Sequence, residues 1–327
     1  MKSVPRKQSY TKLIWKQYRR DPVAVQGLVL VLILSFMALG APLLAGSRPI
    51  AAVVDHELVF PAVTTKARLA WDKADESQRG WALYPPVKFG PTEIDLTMNL
   101  KSPGGGHWLG TDDRGRDVMA RMIFGSRVSL SVGFVAVSIA TIIGIFLGGL
   151  AGYYGGIVDV LISRSIEVMM CFPTFFLILT VMAFLKPSIY NIMIIIGITG
   201  WPGIARLVRG EFLKQRKLDY VVAARAVGAS DLRIIFSHIL PNSLAPVLVS
   251  ATFGIAGAIL TESALSYLGF GVPPPTPSWG EILSQSKHYI DFAWWLTIFP
   301  GAAIFLTVTA YNLVGEGLRD AVDPRLK

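Results

Sequence analysis

The residues best suited to bind an ion or to react lie between positions 112 and 121, where carboxylate and guanidinium side chains are interspersed. The carboxylates are Asp112, Asp113 and Asp117, and the guanidinium groups are Arg114, Arg116 and Arg121. Three carboxylates so close together could bind calcium, but their spacing lacks the alternating ligands and the closing glutamate of a calcium loop. Pairing between the two sets is therefore the favoured role, and no metal site is predicted.

A second segment, residues 219–241, has a pattern typical of a protein–protein contact and not of an active site. Residues 219–227 are typical of a short helix that Gly228 ends, and Ser230 or Asp231 can cap a second helix before Pro241 opens the next apolar stretch. Glycine permits the left-handed turn that such an elbow needs. The pattern fits a knob that a partner protein grips, and it fits equally a surface hairpin with no partner.

Motifs typical of a catalytic chain are absent from the sequence. It contains no His-Glu-x-x-His pair, no nucleophile elbow and no Gly-Lys dipeptide, so the phosphate-binding loop of an ATPase is excluded. The single cysteine, Cys171, excludes a disulfide framework. We therefore assign no catalytic residue and no bound cofactor to this chain, and ATP with its magnesium ion would have to be bound by another subunit.

The elements that position these groups are membrane-spanning helices, because the composition is that of an integral membrane protein. Of the 327 residues, 52% are hydrophobic and only 16% are charged, and the mean hydropathy is +0.51. A soluble chain usually has about 25% charged residues. The net charge of +9 is explained by basic cytoplasmic loops, so we expect a lipid bilayer and no nucleic acid as partner.

Six stretches are long and apolar enough to cross a membrane, which requires about 20 residues each. They cover residues 23–45, 128–150, 158–185, 189–207, 243–260 and 292–314. The sequence Trp201-Pro202-Gly203 is expected to break the fourth stretch near its end. The predicted fold class is therefore an all-α integral membrane protein with six transmembrane helices.

Local patterns refine the second and third spans. Asp117 can cap a short helix that lies along the membrane and that Gly125 ends. The second span then carries glycines at four-residue spacing, which favours close helix packing. These glycines are Gly144, Gly148, Gly152 and Gly156. In the third span, Arg164 and Glu167 stand three residues apart and are expected to form a structural ion pair.

Lysine and arginine between the spans predict the orientation. Residues 1–22 and residues 206–242 are both basic, and four spans separate them, so both are expected on the cytoplasmic side with the C-terminus. Residues 46–107 then form a small extracytoplasmic insertion, which is either a structural cap or a docking surface. A cleaved signal peptide at residues 23–45 is the alternative, but the basic leader and the apolar run are both longer than signals normally have.

The loop at residues 211–242 resembles the coupling loop of the permeases of ATP-binding cassette (ABC) importers. That signature runs Glu-Ala-Ala, three residues, Gly, nine residues, Ile-x-Leu-Pro. The matching residues are Ala223, Ala224, Gly228, Leu240 and Pro241. Val222 replaces the glutamate and His238 the isoleucine. These departures affect a polar contact of the glutamate and leave the elbow geometry intact.

Further blocks resemble the peptide-type branch of this family, whose members import dipeptides, oligopeptides and nickel. They are Leu109-Gly110-Thr111-Asp112-x-x-Gly115-Arg116-Asp117, Ala223-Ala224-Arg225-Ala226-Val227-Gly228-Ala229-Ser230, Tyr267-Leu268-Gly269-Phe270-Gly271, Pro277-Ser278-Trp279-Gly280 and Asp320-x-x-Asp323-Pro324. Residues 81–95 resemble the version in importers of microcin-like and longer peptides. The resemblance makes residues 108–327 the permease core.

The resemblance implies a heteromeric machine in the bacterial inner membrane that takes up peptides by alternating access. Its partners would be a second homologous permease, two cytoplasmic ATPase subunits or one fused one, and an extracytoplasmic substrate-binding protein. The residues that couple to the ATPases would be Asp219, Tyr220, Ala223, Ala224, Arg225, Gly228, Ala229, Ser230, Leu240 and Pro241. Nickel import and a non-transporting membrane scaffold are the alternatives.

Overall fold

The computed structural model describes residues 10–322, so Asp323 and Pro324 of the last family block lie outside the described residues. The helices are α1 (Tyr10–Tyr18), α2 (Pro22–Leu39), α3 (Ala41–Leu44), α4 (Thr65–Lys73), α5 (Val118–Tyr154), α6 (Gly156–Cys171), α7 (Thr174–Phe184), α8 (Ile189–Gln215), α9 (Asp219–Ala226), α10 (Asp231–Arg233), α11 (Leu240–Tyr267), α12 (Trp279–Gln285) and α13 (Trp295–Val322). The strands are β1 (Ala51–Val54), β2 (Glu57–Val59) and β3 (Arg79–Leu83).

Five helical segments in the described range are long and apolar enough to cross a membrane. They are α2, α5, α8, the run from α10 to α11 (Asp231–Tyr267), and α13. A sixth crossing is formed if α6 and α7, which meet at an angle of 82°, count as one bent span. The predicted all-α membrane class is confirmed, and the predicted count of six spans is reached when this bent pair is counted as one.

The third span bends at Pro173, whereas the proline of the fourth span causes no break. Phe172, at the bend, has the extended backbone that a residue before proline prefers. Pro202, by contrast, lies inside the continuous helix α8, so the predicted break at Trp201-Pro202-Gly203 is wrong. Trp201 and Pro202 are buried in a helix that packs along much of α5, and this packing keeps α8 continuous across the proline.

The predicted short helix along the membrane is also wrong, because α5 runs unbroken through Gly125. Asp117 does cap this helix, and its carboxylate accepts a bond of 2.7 Å from the amide of Ala120. Gly125 makes room for a neighbour instead of ending the helix, since a Cβ there would lie 3.3 Å from the indole of Trp279. Tertiary packing here outweighs the weak helix propensity of glycine.

Helix α5 is the central element, and its glycine stripe faces α8. A Cβ added at Gly144 would lie 2.7 Å from Cβ of Ile204, and one at Gly152 would lie 2.6 Å from Cβ of Phe212. Gly148, between them, is equally close to α8. Gly156 departs from the stripe, because it starts α6 and faces open space. The two backbones approach closely enough for α5 and α8 to behave as one unit.

The insertion at residues 46–107 is a small sheet covered by one helix. Its strand order is β2-β1-β3, and all pairs are antiparallel. Trp71 of α4 packs on the sheet face that carries Ala52 and Val54, and the guanidinium of Arg79 lies 4.8 Å from the centre of its indole ring. The chain leaves α3 and returns beside it, where the amide of Gly46 donates to the carbonyl of Val87.

Candidate functional site

The elbow, residues 219–239, joins α8 to α11. Helix α9 ends in a Schellman motif, in which Ala229 N–H bonds to the carbonyl of Ala224 and Gly228 adopts φ +82°. Nothing lies within 4 Å of a Cβ placed at Gly228, so the left-handed backbone, and not a lack of space, favours glycine there. Ser230 takes the N-cap position of α10, but its side chain forms no capping bond.

The second half of the elbow is not a separate helix, which corrects the prediction of a second helix ending before Pro241. Helix α10 continues through the π-helical turns Ile234–Ile239 into α11. Pro241 lies in the first turn of α11, where it lacks an amide hydrogen and its ring crowds the carbonyl four residues earlier. The wider π turns immediately before it relieve that crowding, so the helix continues.

One side of the elbow is anchored and the other is free. Val221, Ile234 and Ile239 are fully buried and pack in a cluster with Phe212 of α8. The exposed large apolar residues of the elbow include Val222, Val227, Leu232 and Phe236. Ala223 is exposed among them, whereas Ala224 and Ala229 are half-buried against the cluster. An apolar surface built on a rigid base is suited to binding another protein.

A hydrogen-bonded node, which consists of Tyr153, Arg225 and Asp231, ties both halves of the elbow to the end of α5. The hydroxyl of Tyr153 donates to Asp231 at 2.5 Å and accepts from Arg225 at 3.3 Å. Arg216 adds a cap, since its Nη1 donates to the carbonyls of Gly152 and Tyr153. The node therefore connects the elbow to α5, which in turn packs closely on α8.

Tyr220 and Asp219 occupy the first turn of α9. The hydroxyl of Tyr220 donates to Gln215 at 2.6 Å, so it holds the start of α9 against the end of α8. A tyrosine hydroxyl is protonated at neutral pH and can donate this bond, and partial burial raises the pKa of Tyr220 further. Asp219 is exposed and favourably placed at the helix N-terminus.

A cavity of about 310 Å³ opens between α5, α7, α8 and α11 in the spanning part of the molecule. Its wall contains only small polar and apolar residues, and its polar groups include the hydroxyls of Thr199, Ser250 and Thr261. A Cβ added at Gly203 or at Gly257 would have no atom within 4 Å, so both glycines leave open space on this side. An uncharged wall of this kind binds a polar solute weakly and lets it leave.

The family motif before α5 is a buried clamp on the side of the insertion. Asp112 binds Arg116 at 2.7 Å and lies 3.3 Å from Arg121, which also pairs with Glu281 of α12. Asp113 is 3.8 Å from Arg116. The predicted pairing of carboxylates with arginines is thus found for Asp112 and Asp113.

The remaining motif residues join the clamp to its neighbours. Asp117 departs from the prediction, because it caps α5 and bonds to His107 at 2.8 Å instead of pairing with an arginine. The carbonyl oxygen of Thr111 accepts a hydrogen bond from the indole N–H of Trp295. Gly110 and Gly115 have φ values of +77° and +71°. The motif therefore links α5, α12 and α13.

Comparison with known proteins identifies the family. The family model described as binding-protein-dependent transport system inner membrane component matches residues 140–327, which is more than half of the chain. The chain belongs to this family. A model described as the N-terminal transmembrane domain of oligopeptide transport permease C matches residues 9–58. The chain is therefore a multi-pass inner-membrane permease of an ABC importer, as its motifs predicted.

Individual relatives agree with this assignment. The dipeptide transport system permease DppC of Alkalihalophilus pseudofirmus is 47% identical over 235 residues, which cover 72% of this chain and 77% of that protein. The di/tripeptide transport system permease DppC of Pseudomonas aeruginosa is 37% identical over 316 residues, covering 97% and 92% of the two chains. The permease fold recurs in an inward-facing structure of the MetNI methionine ABC transporter, with a TM-score of 0.52, 18% identity and coverage of 63% of this chain and 98% of that one.

Several residues that organise this permease escaped the sequence patterns. Tyr153 follows directly after the glycine stripe, but nothing local marks it as the partner of Asp231, which is 78 residues away. Asp159 and Arg209 form a bidentate pair between α6 and α8, with 2.7 Å between Nη2 and Oδ2. Glu281 could have been suspected only as a charge near an apolar stretch. Such long-range pairs have no signature in one sequence.

The node makes a prediction about coupling. Tyr153→Phe removes the hydroxyl that binds Asp231 and Arg225 but keeps the ring, so we expect it to lower ATP-dependent transport about fivefold to tenfold, corresponding to one or two hydrogen bonds. ATP hydrolysis should fall less than transport. The measurement is the ratio of transported substrate to ATP hydrolysed, with Tyr154→Phe as the neighbouring control. An unchanged ratio for Tyr153→Phe would show that the node only stabilises the fold.

Proposed function

We propose that this permease forms, with a second homologous permease, a pathway for the uptake of peptides by alternating access. The observation that carries the proposal is the similarity to dipeptide and di/tripeptide permeases along nearly the whole chain. The uncharged cavity supports it, because peptides differ in side-chain charge and a neutral wall of small residues rejects none of them strongly. Selectivity would then lie with an extracytoplasmic binding protein.

The proposed orientation places the elbow, both termini and the basic segments 1–22 and 206–242 in the cytoplasm, with the insertion outside. In this arrangement the exposed apolar side of the elbow faces the ATPase subunits, which bind ATP and magnesium. Closure of the ATPases would displace the elbow, and the node would pass that displacement to α5 and α8. Only a partner that binds the inward-facing and the outward-facing state with different affinity can drive such a change.

The test is transport by the complete complex of both permeases, the ATPases and the binding protein, reconstituted in vesicles. We expect a mixture of short peptides to accumulate inside only when ATP and the binding protein are supplied. Nickel, added alone, is not expected to accumulate. ATP-dependent accumulation of nickel without peptide, or ATP hydrolysis with no accumulation of any solute, would overturn the proposal.

A further inference from the structure

A pocket of about 300 Å³ lies where the insertion meets α3 and α5, away from the cavity between the spanning helices. Three arginines line it, and each comes from a different segment. Arg48 precedes β1, Arg68 lies on α4, and Arg127 lies on α5. Pro42, Phe124 and backbone near Gly90 supply much of the remaining wall. We call this site the arginine pocket.

The arginine pocket has an excess of positive charge. Arg48 donates two bonds of 2.9 Å to Asp72, yet 42% of its side chain remains exposed. Within residues 10–322, the side chains of Arg68 and Arg127 form no hydrogen bond or ion pair, and both are exposed. Glu93 is the one acidic residue on the wall, and its carboxylate also accepts the amide hydrogen of Gly90. Three guanidinium groups thus face only two carboxylates, those of Asp72 and Glu93, and an anion in the pocket would lower the remaining repulsion.

The arginine pocket opens at the boundary of the membrane. Arg127 immediately precedes the apolar stretch of α5, and Phe134, seven residues later on the same helical face, is 64% exposed. Leu43, beside the pocket residue Pro42, is also exposed. Ala136, which lines the central cavity, is nine residues from Arg127 and so faces the opposite side of α5. The pocket therefore adjoins an exposed apolar surface of this chain and faces away from the cavity between the spanning helices.

We infer that the arginine pocket binds the phosphate of an anionic phospholipid headgroup, with an acyl chain lying along the α5 stripe that carries Phe134. Guanidinium groups bind phosphate oxygens in pairs, and basic pockets beside spanning helices are suited to anionic headgroups. Because Arg48 and Arg68 belong to the insertion and Arg127 to the spanning region, the bound lipid fixes the insertion on the membrane. This assignment does not depend on the transported solute.

The test uses the full-length chain in its complete complex, in phosphatidylcholine vesicles that contain increasing fractions of phosphatidylglycerol. The thermal unfolding midpoint and the rate at which chymotrypsin, whose aromatic cleavage sites no variant removes, cleaves the insertion are measured. We expect phosphatidylglycerol to protect the wild type. The variant Arg68→Gln/Arg127→Gln should need about fivefold more of this lipid per arginine removed for the same protection. Its midpoint in pure phosphatidylcholine should match the wild type.

Lys66→Gln is the matched control, because Lys66 is exposed on α4 but does not line the arginine pocket. This variant should respond to phosphatidylglycerol as the wild type does. Equal weakening per removed charge in Lys66→Gln and in the arginine variant would indicate general surface charge and overturn the site. Equal protection by inorganic phosphate in phosphatidylcholine vesicles would assign the pocket to a soluble anion. Protection of the isolated chain that disappears in the complex would assign it to a partner subunit.

Discussion

Replacement of Gly228 by valine is expected to reduce ATP-driven transport by tenfold or more while the protein still inserts in the membrane. A left-handed backbone costs a residue with a side chain about 1–2 kcal/mol, and a β-branched residue more, so the Schellman motif at the end of α9 would be lost in most molecules. Since 1.4 kcal/mol is about a tenfold change in population, the elbow would seldom present its binding shape. Transport and ATP hydrolysis in reconstituted vesicles measure the effect.

Two further variants separate backbone strain from side-chain bulk. Gly228→Asn should recover much of the transport, because asparagine tolerates the left-handed region far better than valine. Gly301→Val adds the same bulk in α13, where nothing lies within 4 Å of the new Cβ and the backbone is helical, and it should transport normally. Normal transport by Gly228→Val would remove the elbow from the coupling mechanism.

Of the substitutions proposed for this protein, replacement of Arg121 is expected to lower the free energy of unfolding most. Its side chain is fully buried and pairs with Glu281, so Arg121→Leu leaves a buried carboxylate without its cation. Breaking a buried pair from one side typically costs about 3–5 kcal/mol. We expect the free energy of unfolding in detergent, measured by denaturant titration, to fall by about this amount.

The double variant Arg121→Leu/Glu281→Leu provides the decisive comparison. Removal of both partners eliminates the stranded charge, so most of the lost stability should return. The exposed pair Arg48–Asp72 of the insertion is the control, because its side chains are 42% and 40% exposed. Arg48→Leu should cost about 1 kcal/mol or less. A double variant as unstable as Arg121→Leu would show that Arg121 matters through its packing and its bond to the carbonyl of Pro91.

Features set by local sequence were predictable. Apolar length revealed the spans, and the pattern of small residues around Gly228 revealed the elbow before its left-handed backbone was seen. The ion pair of Arg164 and Glu167 followed from their spacing on one helix and is present at 2.6 Å. Each of these features depends on residues only a few positions apart, and one sequence contains all the information needed.

Predictions failed where distant residues decide the local structure. Gly125 and Pro202 usually interrupt helices, yet both lie inside continuous ones, because Trp279 packs on the first and α5 packs along the helix that contains the second. The continuous run from α10 into α11 depends on π turns that no propensity scale includes. The partnership of Tyr153 with Asp231 appears only after the chain has folded. Packing partners, and not intrinsic preferences, decided these positions.

The two ends of the segment between residues 45 and 87 lie side by side, and this bears on how its length can change. Ala45 and Val87 pair directly with each other, so the forty or so residues between them begin and end at the same place. A genetic deletion, duplication or exchange of that segment would leave two ends already side by side, and the spanning helices would keep their positions. A change in the length of this segment should therefore cost little in the packing of the spanning helices, although it would alter the arginine pocket.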